Sequence, residues 1–341
     1  MKRILNDPVD YVVEMIGGLI AAHPNHFCRI PSTTRGLKHV DSPVNGKVGI
    51  VTGGGSGHLP LFLGYVGPGL LDAVAIGNVF SSPPAEEIML AAKSVDSGNG
   101  VFFLFGNYAG DVMNFDMAAE MLQSMGIQSS TSVVHDDVAS SPREERENRR
   151  GVAGLLFAYK VAGAKAASMA SLEEVKAAAD KAIHNTRSVG VALSPCTIPE
   201  VGRPSFELGE DEMELGMGIH GEPGIERTAL GTADEIASAM MGKLLADIEL
   251  DERDEVAVLV NGLGATPLEE LYILFRKVGS TLADRRIRIN RAFLGEYATS
   301  MEMAGASISV LKLDPELKKL LNAPYYSPLL LQPPKECPYV E

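Results

Sequence analysis

The sequence predicts an α/β protein built in two units, on three observations. From about residue 47, short apolar runs alternate with amphipathic stretches, the pattern of strands and helices taken in turn. Across residues 194–212 that texture breaks into SPCTIPEVGRPSFELGEDE, with three prolines and little periodicity, before a second alternation begins. The length of 341 residues suits two domains of roughly 150 residues each.

The elements follow in order. Residues 8–22 read as a helix with Pro8 in its first turn, where a missing N–H is tolerated. KVGIV, DAVAI and GVFFLF read as buried strands, with helices at 84–94 and 111–125 between them. TSVVHD is the next strand, RRGVAGLLFAYKVAGAKAAS a long helix, and Ser171 to about Arg187 another. This alternation predicts a largely parallel sheet. In the second unit MELGMGIH and DEVAVLVNG read as strands, as do 286–294 and 306–313, with helices at 232–247 and 267–279. The proline-rich tail PYYSPLLLQPPKECPYVE is expected to run extended over the surface. The domains are placed at 1–195 and 196–341.

Composition narrows the function. With 45% hydrophobic and 22% charged residues, the chain reads as an ordinary soluble globular protein. Its net charge of −14 comes from 44 acidic and 30 basic residues spread along the chain, which disfavours nucleic-acid binding. The one basic knot, Arg143 to Arg150, is interleaved with Glu144, Glu145 and Glu147 and reads as a solvated helix face. Cys28, Cys196 and Cys337 are widely spaced and odd in number, which argues against a disulfide framework or zinc site and for a reducing cytoplasm. Asp7, Asp10 and Glu14 interrupt the apolar N-terminus, so no signal peptide is expected. Nor does any stretch reach the roughly 20 apolar residues of a membrane span. A cytoplasmic protein is expected.

Four stretches bear on chemistry. GGGSGH, residues 53–58, has the glycines of a phosphate cradle but not its other parts. A P-loop needs Lys and Ser or Thr after the last Gly, where this chain has His58, Leu59 and Pro60. The dinucleotide pattern G-x-G-x-x-G, begun at Gly53 or Gly55, meets His58 or Pro60 in place of its third Gly. The stretch is either a tight βα turn or a cradle for another ligand at a strand's carboxyl end. In the second case His58 is an acid or base candidate. In GNYAGDVMNFDMAAEML, Asp111 stands at a helix start, as an N-cap or as a catalytic group. Both loops close strands of one sheet, so His58 and Asp111 are expected in one pocket. In GMGIHGEPGIER, residues 216–227, His220 ends a predicted strand. Gly218 and Gly221 leave it open to close approach, the alternative being a structural imidazole. VNGLGATPLEELY, residues 260–272, reads as a structural helix start or a partner surface. His23, His26, His39, His135 and His184 are read as ordinary residues.

Taken in order, GGGSGH, NYAGDVMNF, NRRGVAG, MELGMGIHGEPG, VNGLGATPLEELY and GEYATSMEMAGAS resemble the K subunit of dihydroxyacetone kinases, from about residue 5 to 325. The resemblance implies two α/β domains, each a mixed sheet flanked by helices, in a homodimer. It implies that Gly55, Ser56, Gly57, His58 and Gly106 line a short hydroxyketone, with His58 as acid or base. It also implies that His220 adds to the ketone through Nε2 as a hemiaminal, and that Asp111 binds the reacting hydroxyl and takes its proton. Covalent capture of this kind selects carbonyl compounds over polyols and holds the hydroxyl for transfer. No cofactor is expected on this chain. Mg-ADP or Mg-ATP belongs to a separate all-helical L subunit, served by ATP exchange or by a phosphotransferase-system donor. Three positions depart from the family pattern: Leu59 replaces an acid, Gly106 a frequent lysine and His135 an asparagine. The first two imply a larger or less polar pocket, suited to a four-carbon ketose such as erythrulose. The competing reading is a co-activator that binds ketone through the same histidine and catalyses nothing. Retention of both His58 and Asp111 favours catalysis. A dehydrogenase-type nucleotide binder is weakened by the missing fingerprints.

Overall fold

The computed structural model describes residues 2–332, so Cys337 and the end of the tail lie outside the described residues. A 3-10 turn at Pro8–Asp10, capped by Asp7, leads into α1 (Tyr11–Ala22). The first sheet holds β1 (Phe27–Arg29), β2 (Gly36–His39), β3 (Gly49–Ser56), β4 (Ala73–Val79), β5 (Val101–Gly106) and β6 (Ser129–Val134), ordered β1-β2-β4-β3-β5-β6. Strands β3 to β6 pair in parallel, as expected. The two short strands β1 and β2, which the sequence reading did not include, run antiparallel and make the sheet mixed. Helices α2 (Ala85–Lys93) and α3 (Ala109–Ser124) cover one face, where Phe103 and Phe105 meet Ile88, Phe115 and Leu122. Phe102 and Leu104 point the other way, onto α4 (Leu155–Ala167) and α5 (Leu172–His184). Because both faces are covered, GVFFLF is a continuous apolar run with no polar alternation.

The second sheet holds β7 (Thr186–Ala192), β8 (Glu212–Leu215), β9 (Glu226–Ala229), β10 (Glu255–Gly262), β11 (Arg288–Gly295) and β12 (Gly305–Leu313), ordered β11-β10-β12-β7-β8-β9. Only β10 and β11 pair in parallel. Val256, Val258 and Val260 face α6 (Ala233–Asp247) and α7 (Leu268–Asp284). Ala257, Leu259 and Leu311 face the core that α4 and α5 share with the first sheet. The molecule is therefore five layers, helix–sheet–helix–sheet–helix, with α4 and α5 in the middle. That position explains why α4 is buried along nearly its whole length, Lys160 included. Helix α8 (Pro315–Leu321) and the hairpin β13 (Tyr325–Ser327) and β14 (Leu330–Gln332) complete the chain. No helix among the described residues is long and apolar enough to cross a membrane.

Several expectations change. The chain enters the second sheet at Thr186, so 194–212 is a loop from β7 to β8 and the 195/196 division falls after the change of sheet. The helix read as reaching Arg187 stops at His184, because TRSVGVA pairs as a strand. The basic knot is not a solvated face. Only Arg143–Asn148 forms a 3-10 turn, while Arg149, 1% exposed, turns inward onto Asp247. The tail, as far as Gln332, packs as a hairpin with Tyr325 and Ser327 buried, and Ser327 Oγ donates to Gly64 O at 2.6 Å.

Candidate functional site

The glycines of GGGSGH are strand and not loop. β3 runs through Ser56, and only Gly57, at φ +100°, adopts a left-handed backbone. A Cβ on Gly54 would stand 2.3 Å from the Phe62 ring, and one on Gly55 2.8 Å from Phe80 Cα. These glycines let the segment after the strand fold back over its end. No helix follows directly, so the βα-turn reading does not hold. From the second sheet, the loop between β11 and β12 grips this turn. Met301 N donates to Gly57 O at 2.7 Å, Thr299 N to His58 O at 3.3 Å and Thr299 Oγ1 to Leu59 O at 3.0 Å. Asn261, from VNGLGATPLEELY, holds that loop by accepting from Tyr297 N and Ala298 N, each at 2.8 Å. This part of the motif is structural.

His58 is buried, with its ring stacked 4.9 Å from Phe80. Its Nδ1 lies 2.7 Å from Thr299 O, a carbonyl that only accepts, so Nδ1 carries the proton and Nε2 a lone pair. That Nε2 has no partner. Burial, then the neighbouring His220, hold its pKa down at about 3. The ring stays neutral at pH 7.

His220 does not end a strand. β8 stops at Leu215, Gly216 turns at φ +84°, and His220 lies in the turn beyond. Its ring meets those of His58 at 4.8 Å, Phe80 at 5.2 Å and Tyr108 at 4.7 Å. Nδ1 stands 2.7 Å from Glu222 Oε1, and the His220 backbone N donates to Glu222 Oε2 at 3.0 Å. Burial disfavours the charge on Glu222, but hydrogen bonds from the ring and backbone outweigh it and hold its pKa at about 2. The ionised carboxylate accepts from Nδ1, so that nitrogen carries a proton and Nε2 is the ring nitrogen left toward the pocket's other groups.

Asp111 is the third residue of α3, whose N-cap position is Tyr108, so it does not cap the helix. Burial pushes its pKa up to about 6, against the pull of a Ser82 hydrogen bond and of His220. Its Oδ1 has no partner, and the same holds for the buried Ser56 Oγ and Tyr108 hydroxyl. Thus Ser56, His58, Tyr108 and Asp111 supply four of the six buried side-chain polar atoms without a partner among the described residues. Each such atom costs about 1–3 kcal/mol unless something binds it.

The other expected positions sit differently. A Cβ at Gly106 would meet Gly151 O at 3.2 Å and the Tyr108 ring at 3.4 Å, so this position is tightly packed. The Leu59 side chain is 39% exposed, at the surface. His135 lines a separate hollow of about 270 Å³ with Arg146 and His184. Phe80, Ser82, Tyr108, Glu222 and Thr299 join the site without having been singled out. Glu222, two residues after the histidine, was legible as its partner. Thr299 was not, because only the docking of the two halves brings it to His58.

A Dak1 domain model matches residues 17–329. Over 328 residues the chain is 46% identical to PTS-dependent dihydroxyacetone kinase 2, dihydroxyacetone-binding subunit DhaK, of Listeria innocua, covering 96% of this chain and 98% of that one. It is 40% identical over 332 residues to L-erythrulose 1-kinase of Mycolicibacterium smegmatis, covering 96% of this chain but 58% of that longer protein. The native dihydroxyacetone kinase of C. freundii superposes with a TM-score of 0.88 at 32% identity, over 95% of this chain and 59% of that one. The dihydroxyacetone kinase operon co-activator Dha-DhaQ superposes at 0.85 and 33% identity, over 92% and 96%. Matched along nearly all its length by model, sequence and fold, the chain belongs to the Dak1 family.

Proposed function

We propose that this chain is the substrate-holding subunit of a kinase for short hydroxyketones, and that it captures the ketone on His220. The observation that carries this is the set of four partnerless buried polar atoms, two of them on His58 and Tyr108 whose rings meet that of His220, together with the Glu222 carboxylate that holds His220 Nδ1. The lone pair adds to the carbonyl carbon, forming the N–C bond and breaking the C=O π bond. The oxygen gains one proton, and the ring, cationic after addition, loses one from Nδ1, so the hemiaminal forms without net proton change. Glu222 stabilises the ring's transient charge. Gly55, Ser56 and Gly57 line the ketone, with Gly106 at the margin.

The two remaining groups divide the proton work. Asp111, with a pKa of about 6, is ionised at pH 7 yet basic enough to take the proton of the reacting hydroxyl. His58, neutral down to about pH 3, accepts a hydrogen bond instead of a proton. The phosphoryl group comes from a separate L-type subunit carrying Mg-ADP or Mg-ATP, recharged by ATP or by a phosphotransferase-system protein. The chain acts as a homodimer in the cytoplasm. Both dihydroxyacetone and a four-carbon ketose are supported by the relatives' names, and the close packing at Gly106 gives no reason to prefer the longer one.

The likeness to Dha-DhaQ supports a second reading, a ketone-binding co-activator. One experiment separates the two. The chain is mixed with an L-type partner, its phosphoryl donor and dihydroxyacetone or either erythrulose, and ketose phosphate is followed by phosphorus NMR. The kinase reading expects product that disappears in Asp111→Ala. Ketose binding without product, for every L protein and donor tried, would establish the co-activator reading instead.

A further inference from the structure

What makes the capturing ring reactive lies partly in a segment far away along the chain. His220 and Glu222 follow β8, whereas Asp137 and Arg150 lie between β6 and α4, in a segment that leaves the first sheet and pairs along β7, where Val138 N donates to Ser188 O at 2.9 Å and Ser188 N to Asp136 O at 2.8 Å. Asp137, 2% exposed, accepts from Arg150 Nε at 2.9 Å and from Ala139 N at 3.0 Å. With Nε so held, Arg150 Nη2 donates to Gly216 O at 3.0 Å and Nη1 faces Glu222 Oε2 at 4.0 Å. The same Oε2 accepts from the His220 backbone, and Oε1 from its Nδ1.

Gly218 makes this arrangement possible. A Cβ there would stand 2.1 Å from Glu222 Oε2 and 2.6 Å from Arg150 Nη1. Its φ lies outside the left-handed region, so what the glycine supplies here is room.

Building on the proposed covalent role of His220, we infer that Asp137, Arg150 and Gly218 are positioning residues that hold Glu222 against Nδ1. An ionised carboxylate at Nδ1 locks the tautomer that leaves Nε2 nucleophilic, and it stabilises the imidazolium formed on addition. Arg150 supplies the counter-charge that keeps the carboxylate in this pose. The sequence motif NRRG thus serves the HGEP motif some 70 residues further on.

The test reads the ring directly, in ¹⁵N-histidine-labelled full chain without ketose. His220 signals are identified by their loss in His220→Gln. The wild type is expected to show the Nδ1–H tautomer alone. Gly218→Ala, which alters no charge, and Glu222→Gln are expected to give a mixture with Nε2–H, and Arg150→Lys a smaller change in the same direction. With ketose labelled at its carbonyl carbon, the tetrahedral-carbon signal of Gly218→Ala should need at least about tenfold more ketose than wild type. An unchanged tautomer in both Gly218→Ala and Glu222→Gln would overturn the inference. If the wild type holds the Nδ1–H tautomer yet forms no tetrahedral carbon with any ketose, the positioning inference stands and covalent capture falls.

Discussion

Asp111 is the residue at which stability and chemistry conflict. Burial raises its carboxyl from the ordinary 3.8 to about 6. The folded chain therefore binds this proton more readily than the unfolded chain. The cost of keeping Asp111 ionised is complete above about pH 6, declines as the pH falls, and is absent below about 3.8. One unit is worth about 1.4 kcal/mol, so Asp111→Asn should raise stability by about 2–3 kcal/mol at pH 7.5. That gain should shrink to a fraction near pH 4, as read from urea midpoints at the two pH values. The same variant should lose at least about 10²-fold in ketose phosphorylation. In the wild type, turnover should fall with acid at an apparent pKa near 6. A variant no more stable than wild type at pH 7.5 would mean that the carboxyl is not strained by burial.

At the scale of elements, β3 and its continuation answer what three glycines do in a strand. Gly53 yields space to Ala75 O of the neighbouring strand, Gly54 to the ring of Phe62 and Gly55 to the backbone at Phe80 beyond β4. Gly54→Ala should cost about 1–3 kcal/mol by overpacking, and Phe62→Leu in the same chain should recover part of it, as measured by denaturant unfolding. A neutral Gly54→Ala would leave the glycine unexplained by packing. Long elements were legible in the sequence because their periodicity spans many residues: α6, α7, β10 and β12 lie within a few residues of expectation. Short ones were not. β1, β2 and β9 have three or four residues each, too few for a pattern, and their pairing comes from neighbours distant in the chain. MELGMGIH reads as a strand through His220 because four of its eight residues are large and apolar, yet the left-handed Gly216 ends that strand.

For the whole molecule, the shared middle layer of α4 and α5 makes two sheets one body, and buried charge binds its edge. Arg149 donates to both oxygens of Asp247, at 2.9 and 2.6 Å, and Arg187 Nε donates to the same carboxylate. Removing the anion would leave two largely buried guanidinium groups together. Asp247→Asn should therefore cost about 3–5 kcal/mol, seen as a lowered urea midpoint. A loss under about 1 kcal/mol would show that the arginines find other partners. Local sequence is enough to make the chain α/β, to set which runs form the central strands, and to mark His58, Asp111 and His220 as chemical groups beside glycine turns. Those are matters of local periodicity and of motifs in one stretch of chain. Folding in three dimensions was needed to place β7 in the second sheet, to turn Arg149 and Arg150 into interior groups, and to bring the Thr299 carbonyl to His58 Nδ1. Hydrogen bonds and desolvation depend on which atoms share a volume, and these pairs come together only when the two sheets close on α4 and α5.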